Sequence, residues 1–145
     1  MTTCSVFYQD WQMECCGKPF SVGEEVSWQV VPLDPADRSG PVPAGSVAGP
    51  LYAQAGHPVW PGRPEPLTGR VSRIRVVTQG FEAPGPEDRT FRPVPGDFSL
   101  RQVDTCPKWF RRDVDGDGRR PSGGRRRDET GVLVEIARPT GGAGR

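Results

Sequence analysis

The segment Asp10–Trp28, DWQMECCGKPFSVGEEVSW, decides how this chain folds. It groups two tryptophans, a methionine, a phenylalanine and two adjacent cysteines around two glycines, in a chain whose mean hydropathy is -0.58. Aromatic and aliphatic side chains alternate with period two along Ser5–Met13, which predicts a strand. Glycine and proline interrupt regular structure, so Cys15–Pro19 predicts a turn. Val26–Val30 then predicts a second, half-buried strand, in which Trp28 is expected to be buried.

The same alternation recurs in the second half of the chain. Gly69–Val77 and Gly131–Arg138 each predict a strand, and Leu100–Val103 predicts a shorter one. The apolar residues of the first of these change parity at Ser72–Arg73, which indicates a bulge. Short strands separated by glycine turns, without a helical stripe longer than two turns, predict a mainly β fold, a small SH3-like or OB-like barrel of five to six strands.

Length and composition predict one domain with two long loops. The 145 residues fit a single domain over residues 1–138. Residues 33–66 are rich in proline and glycine, and residues 111–129 are rich in arginine. Both stretches carry few large apolar side chains, so both are expected to be loops outside the core. Residues 139–145 have nothing to pack against and are expected to form a disordered tail.

Part of the sequence resembles a known family. The front-end pattern DWQMECCGxPFxVGxxVxW, here Asp10–Trp28, and the later strand Gly69–Ile74 together resemble a family of short actinobacterial proteins of unknown function. This resemblance implies no activity, because the family has none assigned. The run Phe20–Trp28 is also similar to the opening of SH3-like barrels, which implies a fold only, since such barrels host many unrelated functions.

Charge and apolar content exclude two classes of protein. The 19 basic and 18 acidic residues give a net charge of +1, so bulk electrostatics do not favour a polyanion. No apolar run is long enough to cross a bilayer, so no membrane partner is expected. The N-terminal residues lack the basic start and apolar stretch of a secretion signal, which predicts a cytoplasmic protein whose 4 cysteines are reduced thiols.

Four residues are candidates for a zinc or thiol site. Cys15, Cys16, Cys106 and His57, the only histidine of the chain, supply the thiolate and imidazole ligands that zinc prefers. Adjacent side chains point to opposite faces of an extended segment, so only a sharp turn at Gly17 brings both thiols to one metal. A reactive thiol needs a lowered pKa, for which the sequence shows no strong cause. Free thiols in a core and a turn are the alternative.

Two further features are candidates for partner binding. Trp60 lies between Val59 and Pro61 in a polar segment, so it is expected to be exposed and to anchor a protein partner. The segment 111–127 contains 7 arginines, and basic flexible segments can hold phosphates. Acidic residues dilute this charge, and no aromatic residue is interleaved to stack on bases. The candidate arginines are Arg119, Arg120, Arg125, Arg126 and Arg127.

No complete catalytic constellation and no phosphate-binding loop is visible in the sequence, so enzymatic activity is not expected. The sequence predicts a non-enzymatic binding or assembly module for a protein partner, without a cofactor. Two alternatives stay open. One is a zinc or thiol site at Cys15 and Cys16 with Cys106 or His57, and the other is weak nucleic-acid binding through Arg111–Arg127.

Overall fold

The computed structural model describes residues 2–56, 60–85, 87, 90–114 and 124–139. Within these ranges the chain forms six strands and one short helix, which confirms the prediction of a mainly β fold. In chain order they are β1 (Thr2–Gln9), α1 (Asp10–Cys16), β2 (Glu25–Leu33), β3 (Leu51–Gln54), β4 (Glu65–Ala83), β5 (Arg92–Val103) and β6 (Gly124–Arg138). No helix in the described part of the chain is both long and apolar enough to cross a membrane.

Five of the strands are hydrogen-bonded into a ring. β2 pairs with β3, β3 with β1, β1 with β6, β6 with β4, and β4 pairs back with β2. The β1–β3 pair is parallel, and the other pairs are antiparallel. β5 lies outside the ring and pairs with the second half of β4. Ring closure pairs both sides of its member strands, so the open edge of the sheet lies at β5.

β4 is the longest strand and contacts three neighbours. Its first residues, Glu65–Arg70, pair with β2, and the rest pairs with β6 and β5. The register with β6 shifts between Val71 and Arg73, which confirms the bulge predicted there. Ser72 is the additional residue, and its Oγ donates a hydrogen bond to the Glu135 carbonyl oxygen at 3.1 Å. A bulge bends a strand, so it lets β4 pass from one partner to the next around the ring.

Apolar side chains are buried on both faces of the sheet. Val134 belongs to the cluster inside the ring, whereas its neighbour Leu133 belongs to a smaller outer cluster, and both are fully buried. Alternation therefore predicts which face a residue takes, but not that the second face is also covered. The buried members of the outer cluster are Phe7, Val42, Leu51, Val77 and Leu133.

The strand predicted over Ser5–Met13 is wrong after Gln9. Asp10–Cys16 forms α1, a helix of 7 residues whose first turn contains Asp10, where the positive end of the helix dipole favours a carboxylate. Met13 extends from this helix into the interior cluster and is fully buried. Over so few residues, a strand and a two-turn helix present similar apolar patterns, so periodicity alone does not separate them.

The predicted loop 33–66 is wrong in part, because Leu51–Gln54 within it forms β3 between β1 and β2. Arg75 of β4, with a side chain 10% exposed, holds the residues that precede β3. Its Nη2 donates to the Ser46 carbonyl oxygen at 3.0 Å and to Glu135 Oε2 at 3.4 Å. Burial lowers the pKa of Arg75. A strand of four residues is too short for a period-two pattern, which is why the sequence predicted only a loop.

The predicted loop 111–129 is wrong at its C-terminal end. β6 begins at Gly124, before the apolar strand predicted from Gly131, and its first residues pair with β4. The Val114 N–H also donates to the Arg127 carbonyl oxygen at 2.8 Å, so residues before the gap contact β6 as well. Ladder hydrogen bonds join backbone groups, so they extend a strand through polar residues that carry no apolar pattern. Residues 115–123 and the predicted tail beyond Pro139 lie outside the described residues.

Trp28 on β2 is half-buried, so the prediction of full burial is wrong. Its ring packs on Tyr8 and Phe20 with centroid distances of 5.3 and 5.1 Å, and it lies against the interior cluster. The alternation with Val26 and Val30 correctly placed this ring on the inward face of the strand. Trp28 is therefore a structural residue with one exposed side.

Candidate functional site

A pair of exposed cysteines ends α1. Cys15 and Cys16 occupy its last two positions, and both are exposed. Consecutive residues of a helix lie about 100° apart around its axis, so both side chains project from the same end of α1. The expectation that the two thiols point in opposite directions is therefore wrong, because the segment is helical rather than extended.

Contacts from two directions fix the C-terminal end of α1. The Gly17 N–H donates to the carbonyl oxygens of Gln12 and Met13, both at 3.1 Å. Lys108 Nζ donates to the carbonyl oxygens of Met13 at 2.7 Å and Gly17 at 3.0 Å. A Cβ at position 17 would lie 2.7 Å from Tyr8 Oη and 2.8 Å from Met13 Sδ, which explains the glycine. The cysteine pair is thus held on a rigid support.

The position of the pair does not activate either thiol. The C-terminal end of a helix carries partial negative charge, which opposes a thiolate. The hydrogen bond with Cys15 raises the pKa of Cys16, and the nearby Lys108 ammonium acts in the opposite direction. Thiolate chemistry, which requires a lowered pKa, is therefore not favoured at this end of α1.

The other two cysteines lie in the interior. Cys106 is 1% exposed, and burial raises the pKa of its thiol to about 12. Burial likewise raises the pKa of Cys4. Within the described ranges no group of three or more His, Cys, Asp or Glu side chains is arranged to hold a metal, and His57 lies outside those ranges. Among the zinc candidates the structure brings together Cys15 and Cys16, without a third ligand from the described residues.

Trp60 is half-buried, so the prediction that it is the exposed tryptophan is wrong. Its ring packs edge-on against Phe7, with the ring centroids 6.5 Å apart, and it lies against the outer cluster. Its indole Nε1 is buried and has no hydrogen-bond partner among the described residues. The Trp60 side chain therefore packs against the outer cluster and does not project into solvent.

Trp109 is the exposed tryptophan, and sequence reasoning missed it. It is 68% exposed, yet the residues on both sides of it are anchored to α1. Lys108 binds the end of α1, and the N–H of the buried Phe110 donates to Glu14 Oε2 at 2.9 Å. No signal in the sequence indicated this, because residues 108 and 109 form a bend to which strand alternation does not apply.

We define the Trp109 surface as Cys15, Cys16, Lys108 and Trp109. Lys108 connects its parts, because its Nζ binds the end of α1 and also lies 5.8 Å from the Trp109 ring centroid. In the described part of the chain the other large exposed apolar side chain is Val22, which is 44% exposed. The Trp109 surface thus combines an exposed aromatic ring, two thiols and a cation on a rigid support.

Three candidate arginines lie on β6, and each is bonded within the protein. Arg126 is also stacked, with its guanidinium carbon 5.5 Å from the Phe91 ring centroid. Arg119 and Arg120 lie outside the described residues. The described candidates therefore do not form an unpaired basic face of the kind that binds phosphates. Their contacts are Arg125 with Glu82 (3.8 Å), Arg126 with Asp128 (3.0 Å) and Arg127 with Ser99 (2.6 Å).

Ion pairs attach the segment after Trp109 to the rest of the fold. Glu129, with a side chain 4% exposed, accepts from Arg101 Nη2 at 3.1 Å and from the Arg111 N–H at 2.8 Å. Arg112 Nη2 lies 2.7 Å from Asp10 Oδ2 on α1. Burial raises the pKa of Asp10, and the Arg112 charge offsets part of that rise. These contacts make the support of Trp109 continuous with β6 and α1.

A comparison with known protein families assigns the chain. A family model described as a family of unknown function (DUF6578) matches residues 2–138, which span all six strands. The chain belongs to DUF6578. This confirms the coarser part of the resemblance seen in the sequence, namely membership of a family without an assigned activity. No curated protein matches the chain, and no solved structure matches it either.

The DUF6578 protein therefore presents tryptophan in two different settings. Trp109 is exposed beside α1, whereas Trp60 forms a wall over the outer cluster. At the Trp109 surface the pKa of Cys16 is raised, chiefly by its neighbour Cys15, which does not favour the thiolate of Cys16. Both settings provide apolar contact area beside hydrogen-bonding groups whose positions are fixed.

Proposed function

We propose that this DUF6578 protein is a non-enzymatic binding module for a protein partner, and that the Trp109 surface contacts that partner. The observation that carries the proposal is the 68% exposure of Trp109 between two anchored residues, Lys108 held through its side chain and Phe110 through its backbone N–H. Exposed tryptophans are enriched among the residues that dominate protein–protein affinity. A fixed backbone also lowers the entropy that is lost when a partner covers the ring.

The neighbours of Trp109 support a protein contact rather than a small-molecule site. The Lys108 ammonium donates its hydrogen bonds to the end of α1, and this helps to position the neighbouring Trp109 ring. Its positive charge therefore lies at the edge of the apolar area that the ring forms. Protein interfaces commonly place an aromatic centre inside a polar rim. The exposed thiols of Cys15 and Cys16, at the end of α1 that Lys108 binds, add polarisable apolar contact.

The test compares Trp109→Ala with Val22→Ala, since these are the two large exposed apolar side chains of the described residues. Chemical cross-linking in cells of the source organism, followed by mass spectrometry, identifies the proteins joined to each variant. We expect Trp109→Ala to lose a specific partner that the parent protein and Val22→Ala both retain, with no change in thermal midpoint. An identical set of partners for all three proteins would refute the proposal.

We further propose that the ring of five strands is an SH3-like or OB-like barrel and that the protein is a cytoplasmic protein of actinobacterial origin. The barrel type is supported by the closed ring of five strands and by the bulge that bends β4 at Ser72. The compartment is supported by two exposed free thiols, which persist where glutathione keeps them reduced. The origin is supported by the dominance of arginine over lysine, which is typical of GC-rich genomes.

A zinc or thiol site is a second candidate function, favoured by the adjacent position of Cys15 and Cys16 on α1. Two thiolates supply half of a tetrahedral zinc site, so His57 or a partner's side chains would complete it. Elemental analysis of the purified protein tests this directly. Zinc at one equivalent that is lost in Cys15→Ser supports the site, whereas zinc far below one equivalent excludes it.

A further inference from the structure

A groove on the outer face of the sheet contains tryptophan, proline and carboxylate side chains. It has a volume of about 290 Å³ and lies between the proline-rich segment that follows β2 and the β4–β5 pair. We call it the Trp60 groove. It is separate from the Trp109 surface, because Trp60 packs on the outer cluster and Trp109 lies beside α1. Its lining residues are Leu33, Asp34, Asp37, Ser39, Gly40, Pro41, Trp60, Gln79 and Pro93.

Two carboxylates of the groove are held in place and have capacity to bind. Asp34 Oδ1 accepts from the Ala36 N–H at 2.9 Å, and Asp37 Oδ1 accepts from the Ser39 N–H at 2.9 Å and its Oγ at 3.1 Å. In the described part of the chain neither carboxylate has a basic partner within 4.0 Å. Each Oδ2 is therefore a free acceptor on a side chain whose position is already fixed by its turn.

Gln79 provides a third acceptor from the floor of the groove. It is 8% exposed, and its Nε2 donates to the Val94 carbonyl oxygen at 3.4 Å. Its Oε1 accepts no hydrogen bond from the described residues. The amide oxygen of Gln79 is thus an unused hydrogen-bond acceptor in the part of the Trp60 groove that Gln79 lines. An acceptor in this setting favours a ligand that donates hydrogen bonds.

The apolar lining favours a flat or elongated group. Trp60 is held edge-on against Phe7, so its position is fixed before any ligand binds. Pro41 and Pro93 lie on either side, and neither offers a backbone N–H. An indole attracts cations over its face, and guanidinium groups stack on aromatic rings more readily than ammonium groups do.

We propose that the Trp60 groove binds the side chain of an arginine presented by an extended peptide of a partner. The guanidinium has five donors in one plane, which suit the acceptors of Asp34, Asp37 and Gln79. Its aliphatic stem packs on Trp60 and the flanking prolines. This site goes beyond the Trp109 surface, because it assigns a ligand of defined charge to a different part of the molecule.

The experiment titrates the full chain with a blocked five-residue peptide, Gly-Pro-Arg-Pro-Gly, by isothermal calorimetry. The same peptide with citrulline in place of arginine keeps the shape and removes the charge. The double variant Asp34→Asn, Asp37→Asn keeps the Oδ1 acceptors of both turns and removes the two carboxylates. Glu25→Gln, Glu65→Gln is the matched control, since it removes the same charge from exposed positions on β2 and β4.

We expect the arginine peptide to bind the parent chain and the control with equal affinity, and the Asp34→Asn, Asp37→Asn protein at least about tenfold more weakly. The citrulline peptide should show a loss of similar size against the parent chain. Equal binding of both peptides, unchanged binding by the Asp34→Asn, Asp37→Asn protein, or no binding of the arginine peptide would each overturn the proposal. Trp109→Ala should bind the arginine peptide normally, so failure of the Trp109 surface and failure of the groove are distinguishable.

Discussion

Three of the four tryptophans show how much the contribution of one residue depends on what surrounds it. Trp28 fills space beside Tyr8 and Phe20 at the interior cluster, and Trp60 packs on Phe7 over the outer cluster. Trp109 is exposed and has no comparable ring contact among the described residues, although Lys108 lies near its face. The first two therefore stabilise the fold, whereas Trp109 is available for contact with another molecule.

Replacing Trp28 by alanine should destabilise the protein by about 3 kcal/mol, at the lower end of the range for buried aromatic residues because Trp28 is only half-buried. Urea denaturation with an unchanged m-value measures this loss. Trp109→Ala is the control and should change stability by less than about 0.5 kcal/mol, as exposed substitutions usually do. Equal losses in the two variants would contradict the packing of Trp28 on Tyr8 and Phe20 and the exposure of Trp109.

Cys106 should make the protein less stable at alkaline pH. Its folded pKa is about 12 against an ordinary value of 9.0, so the neutral thiol is favoured by folding. The stabilisation is complete below pH 9 and is lost as pH rises from 9 toward 12. At pH 10 this thiol alone should lower the free energy of unfolding by about 1.4 kcal/mol.

The measurement for Cys106 is a set of urea denaturation curves between pH 7 and pH 10. Cys106→Ala should reduce the alkaline loss of stability by the amount that this thiol contributes. Burial also raises the pKa values of Cys4 and Tyr8, so the variant should retain a smaller alkaline decline. A Cys106→Ala curve parallel to that of the parent protein would show that the thiol ionises equally in the folded and unfolded states.

Among the elements, β4 determines how the ring closes. Its two halves serve different partners, and the bulge at Ser72 lies near the change from β2 to β6. Val71 and Ile74 both reach the interior cluster although they are three positions apart, which regular alternation forbids. The additional residue at the bulge makes this arrangement possible.

Deletion of Ser72 should keep the faces of the β4 side chains, since Val71 and Arg73 already pair with consecutive residues of β6, but it should lower the thermal midpoint strongly because it removes the bulge that bends β4 from β2 toward β6. Ser72→Ala keeps the residue count and removes only the exposed hydrogen bond from Oγ to Glu135, so it should cost less than about 1 kcal/mol. Circular dichroism melting curves of the two variants test this contrast. A cooperative transition near the parent midpoint for the deletion would show that closure of the ring does not depend on the bulge of β4.

The strands and the helix differ in how well the sequence predicts them. β2, the bulge of β4 and the apolar half of β6 were predicted correctly, because alternation is a local property of the chain. α1, β3 and the polar half of β6 were not, since each depends on a partner that is distant in sequence. The same reason explains why Trp60 was wrongly predicted to be exposed and why the exposure of Trp109 was missed. The contacts that decide both come from distant parts of the sequence.

At the scale of the whole molecule, Glu135 links the ring to the proline-rich segment that covers it. Its Oε2 lies 3.4 Å from Arg75 Nη2 and 3.3 Å from Arg73 Nη1. Arg75 in turn donates to the Ser46 carbonyl oxygen, whereas the Arg73 side chain is 44% exposed and faces solvent. Of these two arginines, only Arg75 contacts the proline-rich segment, which Ser5 of β1 also binds through Ala48 and Pro50.

Arg75→Met should loosen the proline-rich segment around Ser46 without disrupting the strand pairing of the ring. Trypsin should then cut after the exposed Arg38 about tenfold faster than in the parent protein, because local opening exposes the segment to cleavage. Arg73→Met is the matched control and should be cut at the parent rate. Mass spectrometry of timed digests gives both rates. Equal cleavage in the two variants would show that the Arg75 contact with Ser46 does not hold the cover in place.

The place of β6 in the sheet has a consequence for synthesis. β6 follows the other five strands in the sequence, yet it lies between β1 and β4. While the ribosome is still translating it, the emerging chain can assemble the remaining strands only as an incomplete sheet with a gap. Nascent molecules on one polysome therefore pass through a stage in which each has a gap that the β6 of a neighbouring molecule could fill, so slow elongation through the codons of β6 should favour domain-swapped dimers.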